Sequence, residues 1–177
     1  MRIISIDPSL RSTGIFYVED GAVNSEVIQK KGDRLEVLGY MARKFALESK
    51  GFDLLIIEDY SFGAGGSRSI TVQAELGGLI RGLFSARGVP ILEMPIQLWK
   101  AVTDIRGKKG TAMEKSDYLN LVGEKFKVRF KTTDESDAFL MYQTVRLCCL
   151  RSEFLKYPSA QKVRDRIQDL KINPEKL

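Results

Sequence analysis

At 177 residues and 44% hydrophobic composition the chain is long enough to bury a core of its own, and one domain is expected. It contains no histidine, which excludes Ser-His and Cys-His nucleophile systems and every histidine-bearing metal site, so its chemistry rests on carboxylates, lysines or hydroxyls. The formal charge of +5 is concentrated: between Lys100 and Lys131, nine basic residues (Lys100, Arg106, Lys108, Lys109, Lys115, Lys125, Lys127, Arg129, Lys131) face four acids (Asp104, Glu114, Asp117, Glu124), which suggests a polyanionic partner.

Residues 2–6 read as a short strand closed by Asp7, with Pro8-Ser9 starting a turn. Residues 13–18 and 22–29 read as two more strands, joined by a hairpin at Asp20-Gly21. A helix follows over residues 34–49, where Leu35, Leu38, Met41, Ala42, Phe45 and Ala46 recur at helical spacing before Gly51. The unbroken apolar run 54–57 suggests a strand buried on both faces and ending at Glu58. After the loop 63–67 comes a helix over 70–86, whose Gly77, Gly78 and Gly82 each cost roughly 1 kcal/mol relative to alanine and so predict a close packing partner.

A fifth strand is expected at 89–92, then helices over 97–102, 112–125, 134–150 and 159–170, with the last residues frayed. Cys148 and Cys149 are adjacent in an apolar helix and form neither a loop-closing bridge nor a zinc site, which fits a reducing, cytoplasmic setting. No stretch has the length of a membrane span or the apolar core of a secretory signal, and no repeat or linker is visible. Residues 125–131 alternate strictly, so in an extended conformation they bury Phe126, Val128 and Phe130 and expose Lys125, Lys127, Arg129 and Lys131.

Asp7 and Glu58 each close a strand, where ligand sites of α/β sheets collect, although strands often end in a polar residue for no functional reason. Asp134 and Asp137 project from one face of the first turns of a helix, where acids also serve the macrodipole and where Thr133 or Asp134 could be a cap. Taken together, four carboxylates at one end of a sheet repel unless neutralised. Without histidine the natural counter-charge is a hard, oxygen-seeking cation such as Mg²⁺.

Ile6 to Gly14 (Ile-Asp-Pro-Ser-Leu-Arg-Ser-Thr-Gly), Ile57 to Tyr60 (Ile-Glu-Asp-Tyr) and Asp134 to Ala138 (Asp-Glu-Ser-Asp-Ala) resemble, in order and spacing, the three acidic motifs of the RuvC-type Holliday junction resolvases. The stretch from Glu75 to Gly82 resembles that family's glycine-bearing helix. The resemblance covers residues 1–150 and leaves 151–177 as a C-terminal helical extension of unassigned role. It implies an α/β, RNase H-like fold: a five-stranded mixed sheet, an antiparallel meander followed by parallel strands, flanked by helices.

The resemblance also implies two Mg²⁺ ions, replaceable by Mn²⁺, held by Asp7, Glu58, Asp134 and Asp137, and a homodimer that nicks a four-way DNA junction symmetrically. Lys100 and Lys115 resemble family lysines that act in catalysis or DNA binding, the motif around Lys115 being one residue longer than the usual pattern. Phe62 stands where the family has an aromatic that wedges into the opened junction, though it could equally be core. Arg68, Lys108, Lys109, Lys127 and Arg129 complete the expected DNA-contacting set.

Three other readings share these residues. A sugar-kinase or actin type of ATPase needs glycine directly after the first Asp, where this chain has Pro8, and about twice the length. An RNase H or a broader flap nuclease would use the same acids. A junction-binding architectural protein without catalysis would gain affinity by losing them.

Overall fold

A computed structural model of the chain describes residues 1–59, 67–105 and 113–177, without the side chains of residues 48, 67–73 and 176. Five strands, β1 (Arg2–Asp7), β2 (Thr13–Glu19), β3 (Ala22–Ile28), β4 (Leu54–Glu58) and β5 (Ile91–Met94), form one sheet in the order β3-β2-β1-β4-β5. The first three are an antiparallel meander, while β4 and β5 run parallel to β1. The helices are α1 (Arg34–Glu48), α2 (Ser67–Ser85), α3 (Ile96–Thr103), α4 (Lys115–Phe126), α5 (Thr133–Leu150) and α6 (Pro158–Asp169).

The β2–β3 hairpin turns through Asp20 and Gly21, both at positive φ (49° and 87°), the twist that a two-residue Asp-Gly loop supplies. α1 opens on a capping box between Asp33 and Glu36. Residues 54–57 are fully buried on both faces, as their unbroken apolar run predicts.

Two cores divide along the two-residue period of the strands. Ile4, Ile6, Ile15, Leu55 and Ile57 meet α1 and α2 through Met41, Phe45, Leu76, Ile80 and Phe84. Ile3, Phe16, Val18, Leu54 and Ile56 meet α3, α5 and α6 through Trp99, Phe139, Val145 and Val163. Asp7 shares the parity of Ile3, and Glu58 that of Leu54 and Ile56, so both acids emerge at the strand ends on the α5 side.

Gly14 sets the height of α5. It pairs with Asp7 across the β1–β2 ladder, and a Cβ there would stand 2.0 Å from the Asp134 carbonyl oxygen and 2.8 Å from the Glu135 nitrogen, both backbone atoms. Gly14→Ala is expected to destabilise the fold by about 2–4 kcal/mol, lowering Tm by roughly 5–15 °C. Gly82→Ala, with nothing within 4 Å of its Cβ among the described residues, is expected to gain up to about 1 kcal/mol within the single subunit. Equal melting temperatures for Gly14→Ala and the native chain would show that α5 can withdraw freely.

Several expectations shift. β5 begins two residues late, because Pro90 has no N–H and only its carbonyl joins the ladder, accepting from Leu55. Residues 125–131 are not a strand: Lys125 and Phe126 finish α4, and Lys127 caps it in the left-handed conformation (φ 58°). Phe126, Val128 and Phe130 nevertheless pack on the core, with Lys127, Arg129 and Lys131 exposed, so the alternation reports burial in an irregular segment. The C-terminus is ordered rather than frayed: a 3₁₀ turn at Pro174–Lys176, capped by Asn173, brings Leu177 into the core with Ala160, Val163 and Ile167. Cys148 and Cys149 are free thiols, and among the described residues no helix is long and apolar enough to cross a membrane.

Candidate metal centre

Thr132 and Glu135 start α5 with a capping box, so Asp134 and Asp137 fall in its first two turns on one side. Glu135, the acid between them, turns inward and is 5% exposed. Its carboxylate accepts from the Lys131 and Thr132 nitrogens and from the Ser25 hydroxyl on β3. That interior acid anchors the helix end to the sheet. Asp134 accepts a 2.7 Å hydrogen bond from Ser12 in the β1–β2 turn, itself held by reciprocal Ser9–Thr13 bonds. Asp137 accepts a short hydrogen bond from the Tyr118 hydroxyl on α4.

Electrostatics places the four predicted acids in one field. Burial, then the charges of Glu58, Asp137 and Asp134, push Asp7 well above the usual carboxylate range, against the pull of Lys100. Glu58 is raised to about 7 by burial and by Asp137. Asp137 is raised to about 6 by burial, with the Tyr118 hydrogen bond and Lys100 opposing. The backbone carbonyl of Glu58 is gripped at 2.8 Å by Arg81, which also pairs with Glu93, so β4, α2 and β5 are locked beside the acid.

Among the predicted cations, Lys100 reaches this field. It projects from α3, whose other faces bury Leu98, Trp99 and Val102, and it lowers Asp7, Glu58 and Asp137 together. Lys115 is exposed at the start of α4, three residues before Tyr118 and so on the same side of that helix, but is not among the charges that shift the acids. Lys127 and Arg129 are exposed at the α4–α5 connection. Phe62, Lys108 and Lys109 lie outside the described residues, as does the side chain of Arg68, whose backbone belongs to α2.

Among the described residues no three acidic side chains are closed into a ready-made coordination cage. The donor set still fits a hard cation: oxygen ligands only, half-buried at strand and helix ends, whose mutual repulsion a cation would relieve. Ser12, Gly14 and Tyr118 were not predicted as site residues. Ser12 and Gly14 lie inside the first acidic motif, whereas Tyr118 carried no sequence signal because its contact exists only across α4 and α5.

No protein-family model matches the sequence, and no curated protein matches it. Among solved structures, Thermus thermophilus RuvC in complex with a Holliday junction substrate aligns with a TM-score of 0.61 at 15% identity, covering 80% of this chain and 89% of that one. A second Thermus thermophilus RuvC structure aligns with a TM-score of 0.57 at 17% identity, covering 80% and 90%. The fold is that of RuvC. Identity this low across most of both chains shows that the RuvC architecture rests here on a largely different set of side chains. The five-stranded mixed sheet flanked by helices agrees with the RNase H-like fold expected from the acidic motifs.

Proposed function

We propose that the protein is a divalent-metal-dependent, structure-selective endodeoxyribonuclease that resolves four-way DNA junctions by symmetric nicking, acting as a homodimer. The observation that carries this reading is the convergence of Asp7, Glu58, Asp134 and Asp137 at one end of a RuvC-type sheet. Support for the substrate comes from the junction bound by the compared RuvC. Support for a second subunit comes from α2, where Gly82 is exposed and, among the described residues, nothing lies within 4 Å of its Cβ.

The four acids would hold Mg²⁺ or Mn²⁺. Bound there, the metal supplies an activated water for in-line attack on phosphorus and stabilises the departing 3′ oxygen. The chain's own residues do the positioning. Ser12 and Tyr118 each occupy one carboxylate oxygen of Asp134 and Asp137 and fix its direction. Lys100 brings a cation to the same field, suited to a scissile phosphate. Lys115, Lys127 and Arg129 offer exposed charge to the backbone of the arms.

End-labelled four-way junction, flap, linear duplex and RNA–DNA hybrid, each with Mg²⁺ and with EDTA, test the reading. Paired symmetric nicks confined to the junction are expected. Cleavage of flap or hybrid alone would retain the metal chemistry and replace the substrate.

Tyr118→Phe removes the hydroxyl that orients Asp137 and keeps the ring. The Mg²⁺ concentration for half-maximal cleavage is expected to rise about 10- to 100-fold, with most of kcat recovered at saturating metal. An unchanged metal dependence would assign Tyr118 to packing alone.

A further inference from the structure

The segment after α5 builds one wall of a cleft of about 750 Å³. The other walls are the end of α3, the end of α4 and the outward side of α5. Four cations line it, Lys125, Arg146, Arg151 and Lys156, against one acid, Asp104. Phe154 and Tyr157, half-buried on the core, turn their remaining surface to the same space.

Lys125 and Arg151 are weakly committed, while Lys156 lies over the Tyr157 ring at 5.3 Å. Lys125 meets Asp104 at 3.4 Å and Arg151 meets Glu153 at 3.6 Å, both between well-exposed side chains, and such pairs are worth little and are readily exchanged. Among the described residues the Arg146 Nε has no hydrogen-bond partner, and Arg146 itself is half-buried in the cleft lining. Nor are the cations needed to satisfy the C-terminal carbonyls of α5. Arg164 on α6 does that, donating to the Cys148 and Cys149 oxygens at 3.0 Å each.

The cleft is separate from the carboxylates. Arg146 follows Asp137 by nine residues, two and a half helical turns, which places it roughly 14 Å further along α5 and on the opposite side. That axial distance corresponds to about four base-pair steps of B-DNA, the reach of a flanking arm rather than of the scissile bond.

We propose that this cleft grips the phosphodiester backbone of a DNA arm flanking the cleavage site, through Arg146, Arg151 and Lys156. The inference rests on the nuclease reading above. An acidic protein segment is the other polyanion the charges would accept. DNA is favoured because the partly exposed rings of Phe154 and Tyr157 suit sugars and bases, and because the same chain carries a proposed DNA-cutting site.

The test is junction affinity by fluorescence anisotropy in an Asp7→Asn background, with and without Arg151→Ser plus Lys156→Ser. Both changed residues are exposed, so the fold is retained. Binding at about 100 mM salt is expected to weaken roughly 5- to 50-fold, and the slope of log K against log salt to become shallower by about two. Arg43→Ser plus Lys50→Ser, on the opposite side of the sheet, should change neither.

Unchanged affinity and slope, with the parent binding well, would overturn this inference and leave the nuclease reading standing. A parent that binds no DNA would overturn both. Loss of polyglutamate binding on the double change, with junction binding intact, would overturn it in favour of an acidic protein partner.

Discussion

Asp7→Asn is expected to lower junction cleavage by at least about a thousandfold, roughly 4 kcal/mol of transition-state stabilisation, while junction affinity stays within about threefold or tightens. On the proposed reading the two effects separate, because the substitution removes one oxygen ligand of the metal and one negative charge facing the polyanion. Asp7 has Glu58, Asp137 and Asp134 as neighbours, so no other acid can take its place without leaving its own. Cleavage and binding are measured on the same labelled junction with Mg²⁺ in excess. Turnover at the native rate would remove Asp7 from the metal site. Loss of binding in step with cleavage would instead indicate a damaged fold, which the melting temperature detects.

The second large effect is on stability in the absence of divalent metal. Glu58 titrates near 7 in the folded protein, above its ordinary 4.5, because burial and Asp137 disfavour its charged form. The folded state therefore binds the proton more tightly than the unfolded state, and stability falls as pH rises from about 4.5 through 7. The shift corresponds to a loss on the order of 3 kcal/mol from Glu58 at pH 8. Asp137, raised to about 6, adds in the same direction.

Glu58→Gln keeps the shape and removes the titration. In EDTA at pH 8 the variant is expected to melt roughly 5–10 °C above the native chain, with the gap closing toward pH 4.5. Mg²⁺ should reverse the order by stabilising the native chain at pH 8 and leaving the variant nearly unmoved. A native chain that is most stable at pH 8 without metal, and indifferent to Mg²⁺, would contradict a shared carboxylate field.

Lys100 and Tyr118 show where sequence reading stops. Lys100 was identified by its motif, and it acts on three of the acids from a helix that only the β5–α3 connection aims at them. Tyr118 belongs to no motif, and its hydroxyl meets Asp137 because α4 packs across α5. Residues 125–131 mark the converse limit. Their alternation correctly separated buried from exposed side chains, yet it invited a strand where the chain instead leaves a helix through a left-handed lysine.

By itself the sequence determined the strand order of the meander, the two-faced burial of 54–57 and the absence of any histidine chemistry, which follow from composition and from local rules, period-two burial and the Asp-Gly turn. The four acids were singled out by the resemblance of their motifs to those of the RuvC-type family. Only the tertiary structure decided that the acids share one electrostatic field. That depends on strand parity placing Asp7 and Glu58 on the α5 side, and on the missing Cβ of Gly14 letting the start of α5 settle against the sheet. The C-terminal segment followed the same division. Its helix was legible from periodicity, but the capping of α5 by Arg164, the docking of Leu177 and the basic cleft arise from contacts between distant stretches of chain, to which no local pattern corresponds.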